Sequence, residues 1–482
     1  MTPGRGTLAA VTDPHGLPPL PGSESFDAAE LARLSGGRLV HDARRPIRGA
    51  AVDSRRVLPG NLFVALPGER TDGHEHLAEA VANGAAAVLV SRPGLPSEVL
   101  GEVSVVRVGR PIDALGAIAS GWRGRFDPLT VGITGSIAKT STKEVVGAVL
   151  AIRFRTLRSE GNENNEIGLP LTILRLDRSV EALILEMGMY VGGEIADLAR
   201  IGRPQIGVVT AVQPVHLSRI GSIEAIEQAK SELVEALPAS GTAVLNADDE
   251  RVARMADRTA ARVLTYGFGP AAEVTAEAVE SAAAAGMRFV LRTPAGRRPI
   301  VLPSLGRHAV HNALAAAAVG TAAGLDLDEI VAGLAVRPPA THRGDLIRLG
   351  DVTILDDSYN AAPASMAAAL AVLAGLPGRR VAVLGEMLEL GAGHEAGHLE
   401  VGGLAAGVVD LLIVVGRRAE PIGRAARAAG MPAGRVIDVA DRQAALEALR
   451  PRLAPGDVVL VKASNGIGLD RLVEDLRIEF DR

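Results

Sequence analysis

From about residue 346 the chain repeats one pattern. The apolar runs "VTILDD", "RRVAVLG", "DLLIVVG", "RVIDVA" and "DVVLVKAS" are interleaved with helical stretches such as "SMAAALAVLAGL" and "QAALEALRPRL". Runs of this kind do not alternate in polarity, so a strand built from one is buried on both faces, and the amphipathic stretches supply the crossovers. The pattern predicts a parallel sheet covered by helices on both sides, an open Rossmann-like domain. No short-period repeat is present.

A chain of 482 residues exceeds what one hydrophobic core supports. We expect an α/β protein of three domains behind a flexible tail at 1–25. These are a mixed α/β N-terminal domain at 26–125, a central α/β domain at 126–339 and the Rossmann-like domain at 340–482. The turn-rich "RPPATHRGD" (337–345) breaks the periodicity and reads as the last linker. The Pro- and Gly-rich first 25 residues hold no apolar run of signal-peptide length. No window approaches the roughly 18 apolar residues of a membrane span. The alanine-rich "NALAAAAVGTAAGL" (312–325) reads instead as a buried helix packed close to its neighbours. A net charge of -5 argues against non-specific nucleic-acid binding. The absence of cysteine excludes disulfides, cysteine-ligated metals and a cysteine nucleophile, and fits a reducing cytoplasm.

Lysine is nearly absent. Lys and Arg total 51, yet only Lys139, Lys143, Lys230 and Lys462 are lysines. Where arginine has been preferred so strongly, a retained lysine marks a position that needs a compact amine able to lose its proton, or else has persisted by chance.

Two of the four fall in "LTVGITGSIAKTSTKEVVGAVL" (129–150), which reads as strand, loop and helix. A strict phosphate-loop pattern places glycines where Ile133 and Ala138 stand, so the match is incomplete. The chemistry still works. Gly135 and Ser136 can turn N–H groups toward an anion, and the helix near Thr140 adds its positive end. Lys139 would reach the β- and γ-phosphates and the Thr140 hydroxyl would ligate Mg2+. Ala138 either adopts a left-handed conformation at a cost of roughly 1–2 kcal/mol, or keeps a negative φ and costs nothing.

Other polar residues gather at strand ends. Glu186 closes the apolar strand "EALILEMG", where a carboxylate suits Mg2+ or simply faces water. His216 in "QPVHLSRIGS" follows the strand "IGVVTAV" and is either a ligand or structural. Lys230 lies in the acidic helix "EAIEQAKSELVEAL", where the bland reading is a surface salt-bridge partner. The paired asparagines of "GNENNEIGLP" (161–170) look like a polar loop.

The ordered set "DSRRVLPGNLFVALPGERTDGH" (53–74), "TGSIAKTSTKE", "GNENNEIGLPLTIL", "HLSRIGS", "AKSEL", "LNADD", "LGRHAVHNALAAAA", "LDDSYNAAPASM", "LGEMLELG" and "LVKASNGIGLDRLV" resembles the Mur ligase family. The likeness covers nearly everything after residue 26. "DDSYNAAPASM", with no "DNPR", is similar to the branch that adds D-Ala-D-Ala. The resemblance implies a UDP-binding first domain, a P-loop ATPase-like middle and a Rossmann-like third domain. It implies that Lys139, Thr140 and Ser141, with Gly135, Ser136 and Ala138, bind ATP, and that Thr140 and Glu186 hold one Mg2+. His216 and Lys230 would hold a second, with Lys230 carbamylated by CO2. Asn312, with His308 nearby, would meet adenine, while Arg343 and Asp357 would meet phosphate and ribose on closure. Ser54 and Arg55 would bind the UDP moiety, and Asn164 and Asn165 would lie beside a tripeptide carboxylate. The family's "KGSR" arginine is replaced by Asn465, and Ser141 replaces a threonine.

The implied reaction is ATP-driven ligation of D-Ala-D-Ala to UDP-MurNAc-tripeptide through an acyl phosphate, by a cytoplasmic monomer without nucleic-acid partners. Two alternatives stand beside it. One is a related amide ligase, like folylpolyglutamate or cyanophycin synthetase. The other is a nucleotide-binding regulator that no longer turns over.

Overall fold

The computed structural model describes residues 24–68, 71–93, 101–214, 220–337 and 342–480. The expected tail lies outside them except for its last two residues, as does most of the turn-rich core of the expected linker. The chain forms two compact units, Met1–Asp127 with Ser159–Val180 and Pro128–Arg158 with Glu181–Arg482.

The first unit is built on five strands: β1 (Arg38–His41), β2 (Ala50–Ala51), β3 (Leu62–Val64), β4 (Ala87–Val90) and β5 (Ser104–Arg107), in the order β1-β5-β4-β3-β2. Only β1 runs antiparallel to its neighbour, and helices pack with this sheet in the mixed α/β arrangement expected. The helix Ala28–Ser35 starts where Asp27 accepts the Glu30 N–H at 2.8 Å and stops at Gly36 with φ 64°. The helix Pro111–Arg123 buries Trp122, whose indole N–H donates to the Leu176 carbonyl at 3.1 Å. That bond helps tie Ser159–Val180 into this unit, although the segment lies within the stretch the sequence assigns to the middle domain.

The second unit opens with six parallel strands: β6 (Leu129–Thr134), β7 (Thr156–Arg158), β8 (Ala182–Glu186), β9 (Ile206–Val209), β10 (Thr242–Asn246) and β11 (Arg262–Tyr266), ordered β11-β10-β9-β6-β8-β7. The helix Lys139–Leu150 and the alanine-rich helix Arg307–Ala322 share one core with this sheet. Ala313 to Val319 are fully buried, as the sequence predicts for small side chains at a close helix contact. At Gly333, in the helix Leu327–Leu334, a Cβ would sit 2.5 Å from Val149 Cα, so two helix backbones nearly touch there. A three-stranded antiparallel sheet, β12 (Thr275–Ser281), β13 (Met287–Thr293) and β14 (Gly296–Leu302), caps the same core.

The last six strands are β15 (Asp345–Leu349), β16 (Val352–Asp356), β17 (Arg380–Gly385), β18 (Leu411–Val415), β19 (Val436–Val439) and β20 (Val458–Lys462), in the order β15-β16-β20-β17-β18-β19. The five runs read from the sequence are the five parallel strands, and β15 adds an antiparallel edge. The helices after β16, β17 and β18 pack into one core, and those after β19 and β20 into another on the opposite face. Strand β20 therefore lies between two neighbours whose helices leave the other way. Such a reversal opens a crevice at the carboxyl edge of a sheet.

Candidate functional site

The loop between β6 and the helix Lys139–Leu150 is held from below. Ser136 N–H donates to Ala211 O at 2.8 Å, and the Thr210 hydroxyl donates to Ile137 O at 2.6 Å. Ser136 Oγ donates to Gln213 O at 3.0 Å and accepts the Gln213 N–H at 2.9 Å. Gly135 has φ 151°, and a Cβ there would collide with Thr210 Oγ1, so this position requires glycine. Thr210 was not visible as a site residue in the sequence; it follows β9 and reaches the loop only through the parallel β6–β9 pairing.

Ala138 takes the strained alternative. Its φ of 66° and ψ of 0° put an alanine in the left-handed region immediately before the helix. Lys139 folds back so that Nζ donates to Gly135 O at 2.7 Å, the posture of a cation waiting over an anion cradle. Thr140 and Ser141 follow in the first helical turn, half-buried. Burial lowers the pKa of Lys139; Glu186 opposes the shift and Arg343 reinforces it, so all three charges share one site.

Glu186 is 1% exposed, which removes the reading of an acid facing water. Its Oε2 lies 3.7 Å from Nζ of Lys143, a fully buried lysine that also meets Glu144 at 3.2 Å. Lys230, on the helix Ile223–Glu235, is 3% exposed, which removes the surface salt-bridge reading. Its pKa falls well below the usual lysine value, first through burial and then through the like charge of Lys139. Burial and a like charge thus both disfavour the protonated amine. Three of the four lysines of the chain are buried, and the fourth heads the loop.

Asn312 is buried and accepts the Thr142 hydroxyl at 3.3 Å, which links the alanine-rich helix to the helix behind the loop. His308, one turn earlier, lies within electrostatic range of Asp357 and Lys462. Lys462 Nζ pairs with Asp357 Oδ2 at 2.7 Å and donates to Asn360 O at 2.8 Å, shaping the turn after β16. The Arg343 guanidinium lies 3.9 Å over the Tyr359 ring. The second unit thus brings Lys139, Glu186, Lys230 and Arg343 together, with Asp357 near His308. Asn465 stands exposed just beyond β20. His216 lies outside the described residues.

Ser54, Arg55, Asn164 and Asn165 belong to the first unit. Ser54 Oγ donates to Glu79 Oε2 at 2.6 Å. Arg55 pairs with Asp53 at 2.7 Å, and its guanidinium holds the Asp53 carboxyl down at about 2. Asn165 Oδ1 accepts the Gly168 N–H at 3.0 Å at the start of the helix Gly168–Ile173. The asparagine therefore has a structural task beside any role toward a ligand.

Among the described residues no group of three or more His, Asp or Glu side chains could enclose a metal. The donors that are present fit Mg2+, which takes one or two carboxylates and completes its shell with phosphate oxygens and water. Thr140 and buried Glu186 are such donors.

Fold and site together define an α/β protein that binds a nucleoside triphosphate and carries a Rossmann-like domain beside its phosphate loop. Family models match almost end to end: the Mur ligase family catalytic domain over residues 46–123, the Mur ligase middle domain over 133–320, and the Mur ligase glutamate ligase domain over 342–465. The chain belongs to the Mur ligase family. It is 41% identical to the UDP-N-acetylmuramoyl-tripeptide–D-alanyl-D-alanine ligase of Mycobacterium tuberculosis, over 93% of this chain and 97% of that protein. The crystal structure of MurF from Acinetobacter baumannii superposes with a TM-score of 0.84 at 29% identity, covering 95% of this chain and all of that one (100%). MurF ligase from Thermotoga maritima, solved with ADP, gives a TM-score of 0.78 at 28% identity over 90% and 98%.

Proposed function

We propose that this chain is an ATP-dependent amide ligase that joins D-Ala-D-Ala to UDP-MurNAc-tripeptide. The observation that carries the reading is the extent of the likeness. A ligase named for that reaction is matched at 41% identity over 97% of its length, which takes in the first unit as well as the ATP-binding middle. A folate or cyanophycin ligase would share the middle but have no use for a UDP-sugar site.

In this reading the residues around 26–125, with Ser54 and Arg55, hold the UDP-sugar, and Asn164 and Asn165 lie beside the tripeptide. The middle region binds ATP and the Rossmann-like region receives the dipeptide. The terminal carboxylate of the tripeptide takes the γ-phosphoryl group, giving an acyl phosphate and ADP. The dipeptide amine then attacks the acyl carbon; the new C–N bond forms, the C–O bond to phosphate breaks, and phosphate and a proton leave. The Ser136 N–H, expected to face the anion, is taken by Ala211 O, so Lys139 and the loop N–H groups beyond it cradle the transferring phosphate, and catalysis rests on positioning and charge. Asn312 contacts adenine, and Arg343 and Asp357 reach phosphate and ribose from the third region.

When bound, Mg2+ neutralises the charge on the phosphate oxygens. Thr140 and Glu186 would hold one ion, and Lys230 with His216 a second. Lys230 gains an anionic oxygen pair by adding CO2 to its amine with loss of a proton, a reaction open only to a neutral amine. Its burial beside Lys139 supports that state. We place the reaction in the cytoplasm, where such precursors are assembled.

The test is ADP release by the purified chain given UDP-MurNAc-tripeptide and ATP, with and without D-Ala-D-Ala. Dipeptide-dependent turnover is expected. ATP binding with no turnover would favour the regulatory alternative.

A further inference from the structure

The crevice beside β20 holds a polar pair that the ATP chemistry does not use. Glu386, the first residue after β17, is 7% exposed, and its Oε1 has no hydrogen-bond partner. The nearest cation is Arg418, just after β18. Its Nε lies 3.2 Å from Oε1, while its side chain is 68% exposed. A buried carboxylate oxygen without a hydrogen bond is costly, and here an exposed guanidinium lies against it.

The backbone beneath is clamped. Glu386 O accepts the Ser464 N–H at 3.0 Å, and Leu388 N–H donates to Ser464 Oγ at 2.9 Å. Between them, Met387 N–H donates to Nε2 of buried His398 at 3.0 Å. Nδ1 of that histidine donates in turn to His394 O at 2.6 Å, and burial lowers its pKa, so His398 stays neutral. The segment after β17 is thus fixed to β20 on one side and to the helix His394–Ala406 on the other, while the Arg418 side chain stays exposed. That is the construction of a preorganised binding residue under a displaceable cover.

We infer that Glu386 and Arg418 form the dipeptide cradle, with the ammonium on Glu386 and the terminal carboxylate on Arg418. This rests on the ligase reading above. A zwitterion is the ligand class that fits, because it replaces the ion pair charge for charge and leaves neither partner unpaired. A simple anion or cation would satisfy one residue and strand the other. The pair sits on the same sheet edge as Lys462 and Asp357, and Ser464 joins the two groups by donating to Ala361 O at 3.3 Å.

The experiment uses the full chain at saturating ATP and UDP-MurNAc-tripeptide, with D-Ala-D-Ala varied. Arg418→Ala, a change at an exposed side chain, raises the dipeptide KM roughly 10- to 100-fold, the usual weight of a hydrogen bond to a charged group, and leaves the ATP KM within about twofold. The carboxyl-amidated dipeptide is a poor substrate for the unaltered enzyme by a similar factor, and Arg418→Ala no longer tells it from D-Ala-D-Ala. Glu386→Gln, an isosteric change, also raises the dipeptide KM. An Arg418→Ala enzyme with an unchanged dipeptide KM, or with undiminished discrimination against the amide, overturns the cradle and leaves the ligase reading intact. No dipeptide-dependent turnover in the unaltered chain removes both.

Discussion

Lys230 is buried within electrostatic reach of Lys139, and that like charge adds to burial in making the Lys230 amine harder to protonate. Lys139 has Glu186 to offset this. For Lys230 the shift comes from burial and from Lys139, with no opposing carboxylate. The consequences for stability and activity can be measured separately.

Lys230 costs the fold stability while unmodified. Its folded pKa is depressed, so between that pKa and the ordinary lysine value of 10.5 the unfolded chain binds a proton that the folded chain does not. That penalty is full below the folded pKa and fades as pH rises toward 10.5. Lys230→Met is therefore expected to melt higher than the parent in CO2-free buffer at neutral pH, with the gap narrowing on the alkaline side. A lower melting temperature at neutral pH would contradict this.

Ala138→Gly should stabilise. The left-handed alanine costs about 1–2 kcal/mol, and glycine gives back about 0.4–1 kcal/mol through the entropy of the unfolded chain. A net rise of about 1–3 °C in the melting temperature is expected, with nucleotide binding retained. A fall would mean that the alanine methyl makes contacts worth more than its strain.

Gly135→Ala should abolish nucleotide binding, because the added methyl meets Thr210 Oγ1 and the backbone is unfavourable for an L-residue. Thr210→Ala alone frees the loop carbonyls and is expected to weaken ATP binding about tenfold. In the double variant the clash with the hydroxyl is gone while Ala211 N and the residue 210 Cβ stay at 3.1 Å, so binding should recover only part of the Gly135→Ala loss. Titration calorimetry across the four proteins reads the coupling, and purely additive losses would rule out the contact.

Lys143→Met takes from buried Glu186 and Glu144 a cation they share, although Glu144 keeps Arg158 at 2.8 Å. A loss of roughly 3–5 kcal/mol is expected, seen as a lower denaturation midpoint. Magnesium salts should restore more stability to this variant than to the parent, since the ion supplies the missing positive charge. Equal magnesium protection in both proteins would separate Lys143 from the site.

The parallel strands of the last region were legible because each is a short, fully apolar run bounded by turn residues. In the middle sheet β6, β8 and β9 were legible for similar reasons, while β7, β10 and β11 were not read, and the alanine-rich helix was legible from its run of small side chains. Strand β13 does alternate in "MRFVLRT", but its partner β12 carries a register shift between Glu277 and Glu280 and enters an alanine-rich turn, which hides the hairpin. Ser159–Val180 joins the first unit through contacts such as Trp122 to Leu176, 54 residues apart, and no local pattern records a contact of that range. In the site, Lys139 and Glu186 could be found from spacing and strand ends, and Lys230 from the rarity of lysine. Thr210, Lys143 and Glu386 could not: their roles depend on which strands become neighbours. The four-lysine count included Lys143 and Lys462 without assigning either a role, and both are buried.

The most direct test is carbon NMR on the purified chain equilibrated with isotopically labelled bicarbonate. A carbamate resonance should appear in the unaltered protein and be missing from Lys230→Arg, which should also be unable to ligate. An active enzyme with no such resonance, or an arginine variant that ligates at the parent's rate, would contradict the account.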